Sequence, residues 1–108
     1  MSANLVKEVG ISVSEVCPML FMVIEHFKNR DAAAIYQRYK EKGRMAPEGL
    51  RYVSSWVEPN FDRCFQLMEC DEPQLFEQWI SNWSDIAEFE IVEVITSKEA
   101  LARALPPE

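Results

Sequence analysis

Residues 50–70, LRYVSSWVEPNFDRCFQLMEC, decide how this 108-residue chain is built. Two β-rich arms, Leu50 to Val57 and Arg63 to Cys70, flank the connector Glu58-Pro59-Asn60-Phe61-Asp62 and read as a hairpin. Symmetric closure of that connector pairs Val57 with Arg63, Trp56 with Cys64, Ser54 with Gln66 and Tyr52 with Met68. The same register sets Arg51 opposite Glu69, a favourable cross-strand charge pair. Side chains alternate along a strand, so the register also sorts the faces. Val53, Val57, Phe65 and Leu67 make an apolar side suited to covering by helices. Tyr52, Ser54, Trp56, Cys64, Gln66 and Met68 make a mixed aromatic and polar side.

Upstream, Leu20 to Phe27 is apolar on both faces until Glu25 and His26, as a central strand should be. Asp31 then opens a helix with the apolar stripe Ala32, Ile35, Tyr36 and Tyr39, and Gly43 stops it. Lys40, Lys42 and Arg44 read as cations that complement the helix dipole. Downstream, Asp71 reads as the cap of a second helix, with Pro73 in its first turn and Gln74 completing a capping box. Leu75, Phe76, Trp79, Ile80 and Trp83 are its buried stripe. Phe89 to Ile95 is the last strand, and Ser97 caps a short tail helix. The order is βαββαβ, an α+β ferredoxin-like fold. It predicts a four-stranded antiparallel sheet in the order 4-1-3-2, with two helices on one face. Residues 19–97 form this domain, 1–18 an arm expected to attach loosely, and 98–108 a tail.

Bulk composition narrows the function. A net charge of −7 disfavours phosphate-backbone binding, which needs clustered cations, so no nucleic-acid partner is expected. Cys64 and Cys70 share one strand roughly 20 Å apart, beyond disulfide reach. Three cysteines without a C-x-x-C pair suggest a reduced, cytoplasmic protein. No segment is apolar enough for a membrane helix. The run Met19 to Ile24 before Ala32-Ala33-Ala34 is interrupted by charges and does not read as a signal peptide. One histidine and scattered carboxylates offer no metal-ligand spacing, and three glycines offer no phosphate loop. Neither a metal nor a cofactor is expected.

The stretches MLFMVIEHF (19–27), PEGLRYVSSWVE (47–58), DRCFQLMECDEP (62–73) and FEQWISNWSDIAEFEIVEVI (76–95) resemble a small bacterial family known as a domain of unknown function. That family is placed in the dimeric α/β-barrel superfamily. The resemblance covers Met19 to Ser97, carried mainly by Trp56, Trp79, Trp83 and the block Arg63 to Met68. It implies a homodimer whose two open sheet faces enclose a barrel cavity. Members of the superfamily include cofactor-free monooxygenases, haem-degrading proteins, lactone isomerases and proteins without known chemistry. The resemblance brings no catalytic residues with it, and a shared fold is not a shared reaction.

Three readings follow. In the first, the protein is a dimeric binder of a small apolar or aromatic molecule, with Tyr52, Ser54, Trp56, Cys64, Gln66 and Met68 around the ligand. In the second it is a cofactor-independent enzyme with His26 or Glu25 as base, only one of which strand parity allows into the cavity. In the third it is a structural or regulatory dimer whose mixed face is filled by the partner copy. The bland reading of His26 is a strand-end histidine bonded to solvent, and of Trp79 and Trp83 simple core packing.

Overall fold

A computed structural model of the protein describes residues 18–105. The arm expected at 1–18 therefore lies almost wholly outside the described residues. Four strands, β1 (Met19–Phe27), β2 (Arg51–Val57), β3 (Arg63–Cys70) and β4 (Ala87–Val94), form one sheet in the order β2-β3-β1-β4. All pairings are antiparallel. The helices are α1 (Ala32–Lys42), α2 (Leu75–Ser81) and the tail helix α3 (Ser97–Ala104). This is the ferredoxin-like α+β layout expected from the sequence. No helix is long and apolar enough to cross a membrane, among the described residues.

The local signals act much as their chemistry predicts. The Asp31 carboxylate accepts a hydrogen bond from the Ala34 amide at 3.1 Å and caps α1. Gly43 ends that helix at φ 73°, donating its N–H to Tyr39 O. Two caps differ from expectation. Asp71 does not cap α2. The chain from Glu72 to Gln74 makes successive i→i+3 turns, and the helix begins at Leu75 without a side-chain cap. Thr96, not Ser97, caps α3 by accepting from the Glu99 amide.

The larger correction concerns the hairpin. Arg51 faces Glu69 and Tyr52 faces Met68 as expected, but Ser54 then pairs Leu67, Ser55 pairs Gln66 and Trp56 pairs Phe65. Val53 is an extra residue, a β-bulge, and every later residue of β2 slips by one. The expected mixed face is thereby divided. Tyr52 pairs Met68 and lies over Arg44 on the helix-covered side, together with Cys64, Gln66 and Met68. Ser54 and Trp56 turn to the opposite, open side with Phe65 and Leu67, two of the four residues expected under the helices, whereas Val57, opposite Cys64, lies on the helix side as expected.

The core follows from this sorting. Phe21, Val23 and Phe27 of β1 and Met68 and Cys70 of β3 pack beneath Ile35, Phe76, Trp79 and Trp83. Phe21 meets Phe76 edge to face at 5.1 Å, and Trp79 meets Phe89 at 5.9 Å. Cys64 and Cys70 are buried free thiols. The bulge makes a sharp prediction. Deleting Val53 leaves a regular ladder with every other side chain on its present face, so the unfolding free energy should change by about 1 kcal/mol or less. Deleting Ser55 instead swaps the faces of the residues on one side of the gap and should cost at least about 2–3 kcal/mol. Urea denaturation of the two deletion variants compares them.

Candidate functional site

On the helix-covered side of the sheet, β1 holds one polar residue where the pattern calls for another apolar one. β1 sends Phe21, Val23, Glu25 and Phe27 to this side, and Glu25 is only 8 % exposed. Its cross-strand neighbour is Cys64. The Gln66 side chain donates through Nε2 to Glu25 Oε2 at 2.8 Å. Gln66 Oε1 in turn accepts from Arg44 Nε at 2.8 Å. A buried carboxyl is thus linked to a guanidinium through an amide, rather than paired with it directly.

Arg44 does not lie in the last turn of α1, where it was expected. Lys40 and Lys42 do sit in the last turn of α1, but Arg44 lies beyond Gly43 and leaves the helix axis altogether. Its guanidinium lies over the Tyr52 ring at 3.7 Å and the Tyr39 ring at 5.3 Å. Its carbonyl oxygen accepts two indole N–H groups, from Trp79 at 2.9 Å and Trp83 at 3.0 Å. Trp79 and Trp83 are therefore not only core but also the clasp that positions this loop. The available sequence signal was a cation placed after a glycine stop, where the helix dipole no longer explains it.

These groups border a partly open cavity of about 90 Å³ between the helices and the sheet. A single water needs roughly 10–15 Å³ of such space, so the cavity suits a small molecule. Its walls are Phe27, Ile35, Val57, Trp79, Trp83 and Phe89, with Glu25, Tyr36, Tyr39, Arg44, Ser55, Cys64 and Gln66 supplying polar atoms. Tyr52 stands just behind Arg44 and shares a 2.8 Å hydrogen bond with Ser55. Of the six residues expected around a ligand, Cys64 and Gln66 line this cavity. Met68 is fully buried in the core, while Ser54 and the 55 % exposed Trp56 lie across the sheet. Strand parity puts Glu25 inside. His26 is exposed on the open face, between Arg63 and Glu88.

Burial dominates the electrostatics. Desolvation pushes the Glu25 carboxyl up from 4.5 to about 7, with Arg44 opposing the rise. Desolvation and the nearby Glu25 push the Cys64 thiol to about 12, which leaves it an inert neutral group. Tyr36 is raised as well, by desolvation and then by Cys64 and Glu25. Glu25 is the cavity group whose proton is exchanged near neutrality. Among the described residues no three His, Cys, Asp or Glu side chains cluster as a metal site.

The raised carboxyl has a stability consequence of definite sign. Between pH 4.5 and about 7 the native state holds a proton on Glu25 that the unfolded chain has lost. Unfolding then becomes easier as pH rises through that window and levels off above it. The full effect is on the order of 3 kcal/mol. Glu25→Gln should abolish this slope and be most stabilising, relative to the parent, above pH 7. Denaturant midpoints measured across the pH range for both proteins check this.

No curated protein and no solved structure matches the chain. A family model does match, over residues 19–106. That span takes in the whole sheet, all three helices and every residue of the cavity, and the chain belongs to the family described as Domain of unknown function (DUF3303).

Proposed function

We propose that this protein is a homodimer that binds a small, largely apolar or aromatic molecule in the cavity between its helices and its sheet. The observation that carries the reading is an aromatic-walled cavity containing a buried carboxyl that has, among the described residues, a hydrogen-bond partner on only one of its oxygens. Ligand sites commonly pair an apolar lining with a few oriented polar groups. A filled, purely structural interior fits poorly with that space. An enzymatic variant, in which the same site moves a proton, is favoured at Glu25 rather than His26, because only Glu25 borders the cavity.

The dimer rests on the other side of the sheet. Met22, Ile24, Phe65, Leu67 and Trp56 adjoin one another in the strand register, and Trp56 stays 55 % exposed. The ion pairs Arg51–Glu69 and Arg63–Glu58 fringe this patch. A contiguous apolar patch with a charged rim is the usual mark of an interaction surface. Face-to-face sheet packing, as the dimeric α/β-barrel resemblance implies, would cover it. A cytoplasmic location agrees with the two buried free thiols.

Two measurements test the proposal. Sedimentation should find the parent protein as a dimer and Phe65→Glu as a folded monomer; a monomeric parent would remove the dimer from the reading. Native mass spectrometry of gently purified protein should reveal extra mass shed on denaturation, and calorimetry should detect binding of indole. Ser55→Leu, which fills the cavity, should weaken indole binding by roughly tenfold or more without changing the oligomer. Indole binding unaffected by Ser55→Leu would place the ligand elsewhere.

A further inference from the structure

Two polar groups at the cavity lack protein partners among the described residues. One is Oε1 of Glu25, on a side chain more than nine-tenths buried, since only Oε2 is engaged by Gln66. The other is the Nη edge of Arg44, whose Nε alone is used, by Gln66. The aromatic rings of Tyr39 and Tyr52 cover the guanidinium plane but do not satisfy its edge N–H groups. A buried carboxylate oxygen left without a donor is costly, and a ligand group that met both it and the guanidinium would relieve that cost.

The rest of the wall narrows the chemistry. Trp79, Trp83 and Phe89 favour a planar apolar body. No charged group reaches the cavity from α2 or β4. α1 contributes Tyr36 and Tyr39, β3 contributes Cys64, and the loop after α1 contributes Arg44. A carboxylic acid would arrive already ionised and set a second carboxylate beside Glu25, which like-charge repulsion disfavours. A phenol or enol arrives neutral, as an apolar cavity prefers, and carries one acidic O–H.

We infer that the cavity takes a planar weak acid of the phenol or enol class, that Glu25 Oε1 accepts its O–H proton, and that Arg44 holds the resulting oxyanion. The inference rests on the ligand-binding reading above and deepens it. The O–H bond of the ligand breaks, the proton becomes the O–H of the Glu25 carboxylic acid, and the electron pair stays on the ligand oxygen. Nothing is oxidised or reduced. The cavity holds one anion and one cation before and after the step. The negative charge moves from a localised, poorly solvated carboxylate to a delocalised oxyanion beside the guanidinium, where it is better stabilised.

The probe is 3-nitrophenol, whose anion has its own absorption band and which is still mostly protonated in slightly alkaline buffer, where Glu25 is mostly carboxylate. With the full-length protein, bound probe should show the phenolate band while calorimetry in buffers of different ionisation enthalpy detects no net proton release. In Glu25→Gln, which keeps an acceptor for Gln66, the band should vanish or appear only with a proton released to buffer. Arg44→Gln leaves the main-chain clasp intact and should bind the probe roughly tenfold or more weakly, without the band. Probe bound to the parent protein as neutral phenol, or as phenolate with a proton released to buffer, overturns the inference. So does failure of the probe to bind while indole binds, and in each of these cases the binding reading stands. Failure of both indole and the probe to bind overturns the two together. The parent protein alone decides these outcomes, even if a variant fails to fold.

Discussion

A single carbonyl oxygen, that of Arg44, holds the functional half of this molecule in place. It receives the indole N–H groups of Trp79 and Trp83, which fills both of its lone pairs and satisfies the only polar atom of each indole ring. Trp79 is 2 % exposed and Trp83 6 %, so neither indole has an alternative partner in water. The clasp ties the loop after α1 to α2 and the turn that follows it. With the backbone pinned there, the Arg44 side chain lies over two tyrosines and reaches Gln66, and Gln66 reaches Glu25. Asn82 adds a weaker tie to the next carbonyl, that of Met45. Releasing the clasp would free the guanidinium, and Glu25 would lose both its link to a cation and the shape of its pocket.

The sheet stands between two different environments. On one side it carries a core that includes a carboxyl; on the other it shows Phe65, Leu67 and Trp56. Hydrophobicity alone ranks these sides the wrong way, because the apolar pair of β3 faces outward while Cys64 and Gln66 face the helices. The helices cover the second pair, and the first faces away from them. The bulge at Val53 is the device that lets β2 serve both. It keeps Tyr52 near Arg44 and still turns Trp56 to the open face.

Burying Glu25 among aromatic side chains is unfavourable for the carboxylate and is only partly offset by Arg44 acting through Gln66. A fold gains no stability from such a group that an apolar residue would not give more readily. Perturbed carboxyls of this kind concentrate at functional sites. Here the same residue lines a cavity and, among the described residues, has an oxygen without a hydrogen-bond partner and lies near a cation whose Nη groups have none, so three features fall on one spot.

Much of this was legible in the chain itself. The element order, the strand order, the Asp31 cap, the Gly43 stop and the Arg51–Glu69 pair follow from local spacing and charge, which act over a few residues. The strand parity rule also required that one of Glu25 and His26 face inward. The assignment of faces was not legible, because Phe65 and Leu67 of β3 face away from the helices against the hydrophobic pattern, and because a one-residue bulge reverses parity within β2, where its presence depends on how that strand closes against β3. Nor was Arg44 legible as part of the site, since its role comes from Trp79 and Trp83, some 35 to 39 residues further along. Local sequence determined which elements form and in what order they pair. Only tertiary packing decided which side of the sheet became the pocket and which cation reached it, because those choices are made by contacts between segments far apart in the chain.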